Sequence, residues 1–180
     1  MISKNKKSQV WIETVLYTLI GLAVIGLLLA ATRPKINSTK DEFIIQQTIK
    51  ALNELDSKIS EIKQAAGNSR IIEFQLSRGE LTISNNSITW KLQDSSYKLS
   101  EENVPVKIGD ISALTQKNGD NYIITIFLDY SGVNSFTIDG KEKEITLQPA
   151  KIPYNLLIKN TGNISSSSGK LIIDFSVSWV

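Results

Sequence analysis

The feature of this sequence that most restricts its fold is a run of nineteen residues without a charge, from Thr14 to Thr32. As an α-helix, which rises about 1.5 Å per residue, the run would be roughly 28 Å long. The hydrocarbon core of a bilayer is about 30 Å thick and takes about 20 apolar residues to cross. The run therefore predicts a helix that spans a membrane.

A buried helix of a soluble protein and a cleaved secretory signal are the alternatives to a membrane span. A buried helix is usually shorter or carries a polar face, whereas this run is apolar on all sides. A secretory signal also has a basic start and an apolar stretch, and Ala30-Ala31-Thr32 imitates the small residues before its cleavage site. The apolar core of an ordinary signal is shorter than this run, which favours a retained span.

The composition excludes most kinds of catalytic and metal site. Cysteine and histidine are both absent from the 180 residues, which excludes disulfides, Cys/His zinc sites and the usual general base near neutral pH. The remaining acidic candidates, such as Asp110, Asp129 and Glu144, are scattered along predicted strands and turns. We therefore expect no enzyme, no cofactor and no metal site. Nucleic-acid binding is not expected either, because the basic residues beyond the first eight positions are interspersed with Asp and Glu.

A second helical segment is predicted beyond Pro34. Proline has no amide hydrogen to donate and its ring collides with the preceding turn, so we expect a kink or an interruption there, and one kinked rod and two rods both stay open. From Asp41 to Ala66 the sequence is typical of an amphipathic helix. Thr39 and Glu42 have the spacing of a capping box, and Gly67 is a natural stop. The expected apolar face consists of Ile45, Ile49, Leu52, Leu55, Ile59, Ile62 and Ala66.

From Ile71 onward the period of the apolar residues changes from helical to two, which predicts strands with one buried face. A serine-rich stretch from Asn160 to Gly169 is predicted to be a flexible loop. The clearest stripes are Ile88-Trp90-Leu92, Tyr122-Ile124-Ile126-Leu128-Tyr130 and Leu171-Ile173-Phe175-Val177-Trp179. The turn signals between strands are Arg78-Gly79, Asn85-Asn86, Asn118-Gly119-Asp120, Ser131-Gly132 and Asp139-Gly140. Their spacing predicts an α+β fold, a long N-terminal helix followed by a mostly antiparallel, β-sandwich-like head.

Glu13 lies at the entrance of the apolar run, where a carboxylate is unusual. A charge that enters hydrocarbon costs about 2–3 kcal/mol or more, so it usually has a partner or a function. Nothing within one helical turn of Glu13 is cationic. If the chain were cut between Ser8 and Gln9, the new amino terminus would bring a positive charge close to Glu13 of the same or a neighbouring subunit. The basic leader before this point contains Lys4, Lys6 and Lys7.

In this region the sequence resembles the type IV pilin family, particularly archaeal pilins with a class III signal peptide. The shared features are the short lysine-rich leader, Ser8 as the small residue before the cut, Gln9 as the first mature residue, and Glu13 as the fifth. The resemblance implies that a prepilin peptidase removes only the leader and that subunits assemble through their helices into a filament. It also implies an assembly ATPase, a membrane platform protein, and further copies of this pilin or other pilins as partners.

On this interpretation the chain has four parts. Residues 1–8 are the leader, 9–33 the transmembrane and filament-core helix, 34–67 the amphipathic stalk, and 68–180 the extracytoplasmic head. The lysines of the leader favour a cytoplasmic amino terminus. We expect the protein in the membrane before assembly and in an extracellular filament at the cell surface afterwards.

Three alternatives stay open. In one, Glu13 is a hydrated interfacial residue, and Trp11 and Tyr17 anchor the helix at the membrane surface. In another, the chain is an uncleaved single-pass membrane-anchored surface protein whose β-sandwich binds a ligand or a neighbour. In the third, it is a minor pilin or pseudopilin that primes or caps a filament.

Three Asn-x-Ser/Thr triplets, which begin at Asn37, Asn85 and Asn163, are candidates for N-glycosylation if the head is exported. We expect each of them in a loop or linker, where a glycan has room. Such triplets also arise by chance in a chain rich in Asn and Ser, so their occupancy is left open.

Overall fold

A single helix forms the first third of the molecule. The computed structural model describes residues 6–179, and side chains are described for residues 11–178. The first element, α1, is a 57-residue α-helix, Lys6–Ile62, with Pro34 inside it. At about 1.5 Å per residue it is roughly 85 Å long. The sequence left open either one kinked rod or two rods, and the structure has one continuous helix.

The continuity of α1 makes the predicted capping box wrong. Thr39 and Glu42 lie inside the helix, where the backbone amides already have carbonyl partners one turn earlier. The Thr39 hydroxyl donates to the Lys35 carbonyl at 3.1 Å. Pro34 removes one amide donor, and the long helical segments on both sides of it keep the rod continuous.

The carboxyl-terminal half of α1 packs into the head, as its apolar period predicts. Lys50 and Glu54 are exposed on other sides of the helix. Ala66, the last member of the predicted face, lies beyond the helix and is exposed. The buried face consists of Ile45, Ile49, Leu52, Leu55, Ile59 and Ile62.

The end of α1 is held by a residue from the head. The helix stops at Ile62, before the predicted stop at Gly67. Asn160 is buried, and its Nδ2 donates to the carbonyl oxygens of Ile62 and Ala65 at 3.0 and 3.1 Å. Gly67 has a φ of 83° and donates its amide hydrogen to the Asn160 carbonyl at 2.9 Å. Asn160 therefore satisfies carbonyls that the end of a helix leaves without partners.

Residues 69–179 contain ten strands in two sheets. The strands are β1 (Ser69–Phe74), β2 (Glu80–Ile83), β3 (Ser87–Ser95), β4 (Val106–Ile108), β5 (Ile111–Asn118), β6 (Asn121–Asp129), β7 (Asn134–Ile138), β8 (Ile145–Leu147), β9 (Tyr154–Ile164) and β10 (Leu171–Trp179). The order is β1-β9-β10-β7 in one sheet and β4-β5-β6-β3-β2-β8 in the other. The loop predicted from Asn160 to Gly169 is wrong over its first part, because β9 continues to Ile164 and buries Asn160.

The predicted fold class is confirmed: one long helix is followed by two packed, mostly antiparallel sheets. Among the described strands, β7 and β10 run parallel to each other and the remaining pairs are antiparallel. The five turn signals lie at or between strand ends. The core buries these members of the three predicted stripes: Ile88, Trp90, Leu92, Ile124, Ile126, Leu128, Tyr130, Ile173 and Phe175.

Candidate assembly helix and its attachment to the head

The amino-terminal half of α1 projects from the head as an unburied apolar rod. Its most apolar 18-residue window has a mean hydropathy of 2.3, and none of that window is buried inside the protein. Within the described part of the chain, this helix is the one long and apolar enough to cross a membrane. This half of the helix is therefore not covered by the rest of the protein, which supports association of the segment with a membrane.

Glu13 is exposed near the start of this rod. Trp11 and Tyr17, on either side of it, are 71% and 70% exposed. Among residues 11–178, no salt bridge reaches Glu13. Tyr17, four residues later, lies on the same side of the helix.

The predicted processing site lies at the edge of what the structure describes. Lys6, Lys7, Ser8 and Gln9 belong to the helical backbone of α1, and their side chains are outside the described residues. Lys4 lies outside the described residues altogether. The predicted cut between Ser8 and Gln9 and the leader charge therefore stay predictions.

The hydroxyls of Thr18 and Thr32 are satisfied within the helix. Thr18 donates to the Thr14 carbonyl at 2.6 Å, and Thr32 donates to the Leu28 carbonyl at 3.0 Å. A hydroxyl bonded in this way to the preceding turn needs no water. These polar side chains are therefore compatible with apolar surroundings.

Gly21 leaves a notch on one side of the rod. A Cβ built at Gly21 would meet no atom within 4 Å. The surrounding groove has a volume of about 520 Å³ and is lined by Thr14, Tyr17, Thr18, Gly21, Leu22 and Ile25. Small residues of this kind let a second helix approach closely.

The rod joins the head at a buried carboxylate that sequence reasoning missed. Asp41 is 2% exposed, and its Oδ1 accepts a hydrogen bond from the Arg78 guanidinium. Its Oδ2 accepts the amide hydrogen of Ser96 at 2.7 Å. Arg78 belongs to the turn between β1 and β2, and Ser96 follows β3. One side chain of the helix therefore holds two turns of the head.

The turn that carries Arg78 is itself fixed by the core. Trp90 is fully buried, and its Nε1 donates to the Arg78 carbonyl at 3.0 Å. Gly79 has a φ of 74°, and a Cβ there would lie 2.7 Å from the Trp90 ring. The indole thus leaves room for glycine alone and orients the turn toward Asp41.

A second polar contact joins the middle of the buried half to the larger sheet. The Tyr130 hydroxyl donates to Asp56 Oδ1 at 2.5 Å. Burial raises the pKa of Tyr130 well above its usual value, and the carboxylates of Asp56 and Asp110 raise it further. Tyr130 was predicted as a core residue, but no pattern in the sequence indicated that its hydroxyl binds the helix.

The three glycosylation candidates occupy different environments. Asn85 lies in the turn between β2 and β3, as predicted, and its Oδ1 accepts a hydrogen bond from the Ser135 hydroxyl at 3.0 Å. Asn37 lies inside α1 and Asn163 in β9, so the prediction of a loop or linker is wrong for both. All three side chains are exposed. Whether any of them carries a glycan stays a prediction.

Comparison of the chain with protein-family models, curated proteins and solved structures gives no match. The function must therefore be inferred from the molecule itself. Its architecture, a long apolar N-terminal helix followed by a β-rich domain, is consistent with that of a pilin-like protein.

Proposed function

We propose that this protein is a structural subunit of a type IV pilus-like surface filament, processed by a prepilin peptidase and assembled through its N-terminal helix. The observation that carries the proposal is the change of role along one continuous helix. Up to Thr32 the helix is apolar and exposed, and beyond Asp41 its apolar face is buried in the head. A rigid rod attached to a folded head is the shape that such a subunit requires.

The exposed rod needs a covering that the single chain does not provide. Full burial of one Leu, Ile or Val side chain stabilises by about 1.5–3 kcal/mol relative to exposure to water. The described exposed residues of the rod include Leu16, Leu19, Ile20, Leu22 and Leu27. Lipid covers such a surface before assembly, and the helices of neighbouring subunits cover it afterwards.

Glu13 is the residue to which we assign the choice of register between subunits. Removal of the leader between Ser8 and Gln9 would create an ammonium group four residues before Glu13, on the same side of the helix. A buried carboxylate and ammonium stabilise a contact only when they are paired, and an unpaired one costs several kcal/mol. Misaligned helices are therefore disfavoured.

The test is Glu13→Gln in the native host, with Glu54→Gln as a matched control. Glu54 lies in the half of the helix that packs into the head, and its own side chain is exposed. We expect Glu13→Gln to insert into the membrane and fold its head normally, but to be lost from purified filaments, whereas Glu54→Gln assembles. Normal assembly of Glu13→Gln would refute the assigned role.

The remaining parts of the proposal follow from the same assembly. Residues 1–8 would be removed, 9–33 would form the filament core, 34–67 the stalk and 68–180 the displayed head. The partners would be the prepilin peptidase, the assembly ATPase, the membrane platform protein and other pilins. An uncleaved chain that stays in the membrane would instead be a single-pass anchored surface protein, and abundance in purified filaments would distinguish a major from a minor pilin.

A further inference from the structure

A short basic neck separates the apolar rod from the buried part of α1. We use this name for residues 33–40, which contain Arg33, Lys35 and Lys40 and no acidic residue. All three cations are exposed, and the neck is helical throughout. It is the segment that emerges from a membrane if the rod lies within one.

The charge of the neck is not neutralised by the part of the protein that the structure describes. Among residues 11–178, the salt bridges use other cations. The nearest carboxylate in sequence, Asp41, already accepts hydrogen bonds from Arg78 and Ser96. Lys40 borders a cleft that is also lined by Asp94. Arg33 and Lys35 do not line that cleft and take part in none of the described salt bridges.

The position of these two residues matches that of lipid headgroups. If Thr32 marks the end of the apolar span, Arg33 and Lys35 lie about 1.5 and 4.5 Å further along the helix axis. The headgroup region on each side of a bilayer is about 5–8 Å thick. Two residues apart on a helix correspond to a rotation of about 200°, so the two side chains extend to opposite sides of the rod.

We propose that Arg33 and Lys35 bind anionic phospholipid headgroups in the leaflet next to the head. The long aliphatic stems of both side chains allow the charges to lie among phosphates while the stems remain along the apolar rod. Each basic side chain near an anionic membrane surface strengthens binding to that surface by about fivefold. This inference rests on the membrane-spanning part of the proposed function and is independent of filament assembly.

The absence of cysteine from the chain permits a direct test. Asn37 is exposed in the neck, so Asn37→Cys gives a single site for a fluorescent donor. The labelled full chain is reconstituted in phosphatidylcholine vesicles that contain a trace of acceptor-labelled lipid, either anionic phosphatidylglycerol or neutral phosphatidylcholine. We expect about fivefold or greater local enrichment of the anionic lipid, reduced at high salt because exposed charges are screened.

Two double variants separate the neck from the general charge of the protein. Arg33→Gln with Lys35→Gln should abolish the preference for the anionic lipid. Lys141→Gln with Lys159→Gln removes the same charge from exposed positions on the head and should leave the preference intact. The leader lysines are unchanged in both variants, so any contribution from the opposite leaflet is constant.

Equal transfer to the two lipids in the unmodified chain would overturn the proposal, as would an equal loss in the two double variants. If the neck variant keeps its lipid preference but fails to enter filaments, the neck contacts other subunits and the lipid assignment is wrong. Absence of transfer to either lipid would overturn the membrane span itself, and with it this inference. Normal insertion with no lipid preference would overturn this inference alone.

Discussion

Replacement of Asp41 by Asn tests whether one buried carboxylate fixes the helix to the head. In the folded protein Asp41 is 2% exposed, contacts the Arg78 guanidinium and accepts the Ser96 amide hydrogen at 2.7 Å. Asparagine keeps the size of the side chain and one acceptor oxygen, so it keeps the bond to Ser96. The charge pair with Arg78 is lost.

The expected cost follows from the surroundings of the two partners. A hydrogen bond to a charged group contributes about 1.5–3 kcal/mol. The Arg78 side chain is 42% exposed and returns to water when its partner is removed, which lowers the expected loss for Asp41→Asn to about 1–2 kcal/mol. Arg78→Met leaves a buried carboxylate without its cation and should cost more, about 2–4 kcal/mol.

The assay is denaturant unfolding of the full chain in detergent, followed by tryptophan fluorescence. Trp90 reports on this region directly, because its Nε1 donates to the Arg78 carbonyl. A double-mutant cycle with Asp41→Asn and Arg78→Met should give a coupling energy of about 1–2 kcal/mol. Asp120→Asn, at an exposed turn, is the control and should change stability by less than about 0.5 kcal/mol. A coupling energy near zero would refute the view that Asp41 and Arg78 act as a pair.

Three further predictions concern the head and the helix that packs into it. Tyr130→Phe should lower the free energy of unfolding by about 1–2 kcal/mol. The pKa of Tyr130 is raised in the folded protein, so its stabilising effect is fully present below a pH of about 10 and is lost progressively above it. The variant should therefore show a smaller fall in stability at alkaline pH. pH-dependent unfolding checks this, and an unchanged alkaline slope counts against it. Gly79→Ala should destabilise more than Gly119→Ala by thermal unfolding, because both have positive φ but only the former meets atoms at 2.7 Å; equal costs would contradict it. Ile59→Ala should cost about 2–5 kcal/mol by urea unfolding, whereas Ile71→Ala, 69% exposed, should cost little, and similar losses would argue against the assigned core.

The periodic parts of the fold were predictable because burial repeats with the geometry of the backbone. A period near 3.6 identified the face from Ile45 to Ile62, and a period of two identified the buried sides of β3, β6 and β10. Turn residues marked the strand ends for the same local reason. These signals need no knowledge of which elements meet.

The contacts that join helix to head were not predictable, because they connect residues distant in sequence. Asp41 was expected only as the first residue of an amphipathic helix, and Asn160 as part of a loop. An interruption was predicted at Pro34 because proline weakens a helix locally. The long helical segments on both sides of Pro34 keep the helix continuous. Asn37 was placed in a linker because of the same predicted interruption. Glu13, in contrast, stood out because a charge at the edge of a long apolar run is unusual in any fold.

The measurement that tests the central proposal most directly is intact mass and amino-terminal sequencing of the protein from its native membrane or surface fraction. We predict that the chain begins at Gln9 and keeps the apolar residues from Thr14 to Thr32. A chain that begins at Met1 would contradict processing and favour the anchored surface protein. A chain that begins near Arg33 would show that the apolar run is an ordinary secretory signal, and would contradict the assignment of an assembly helix.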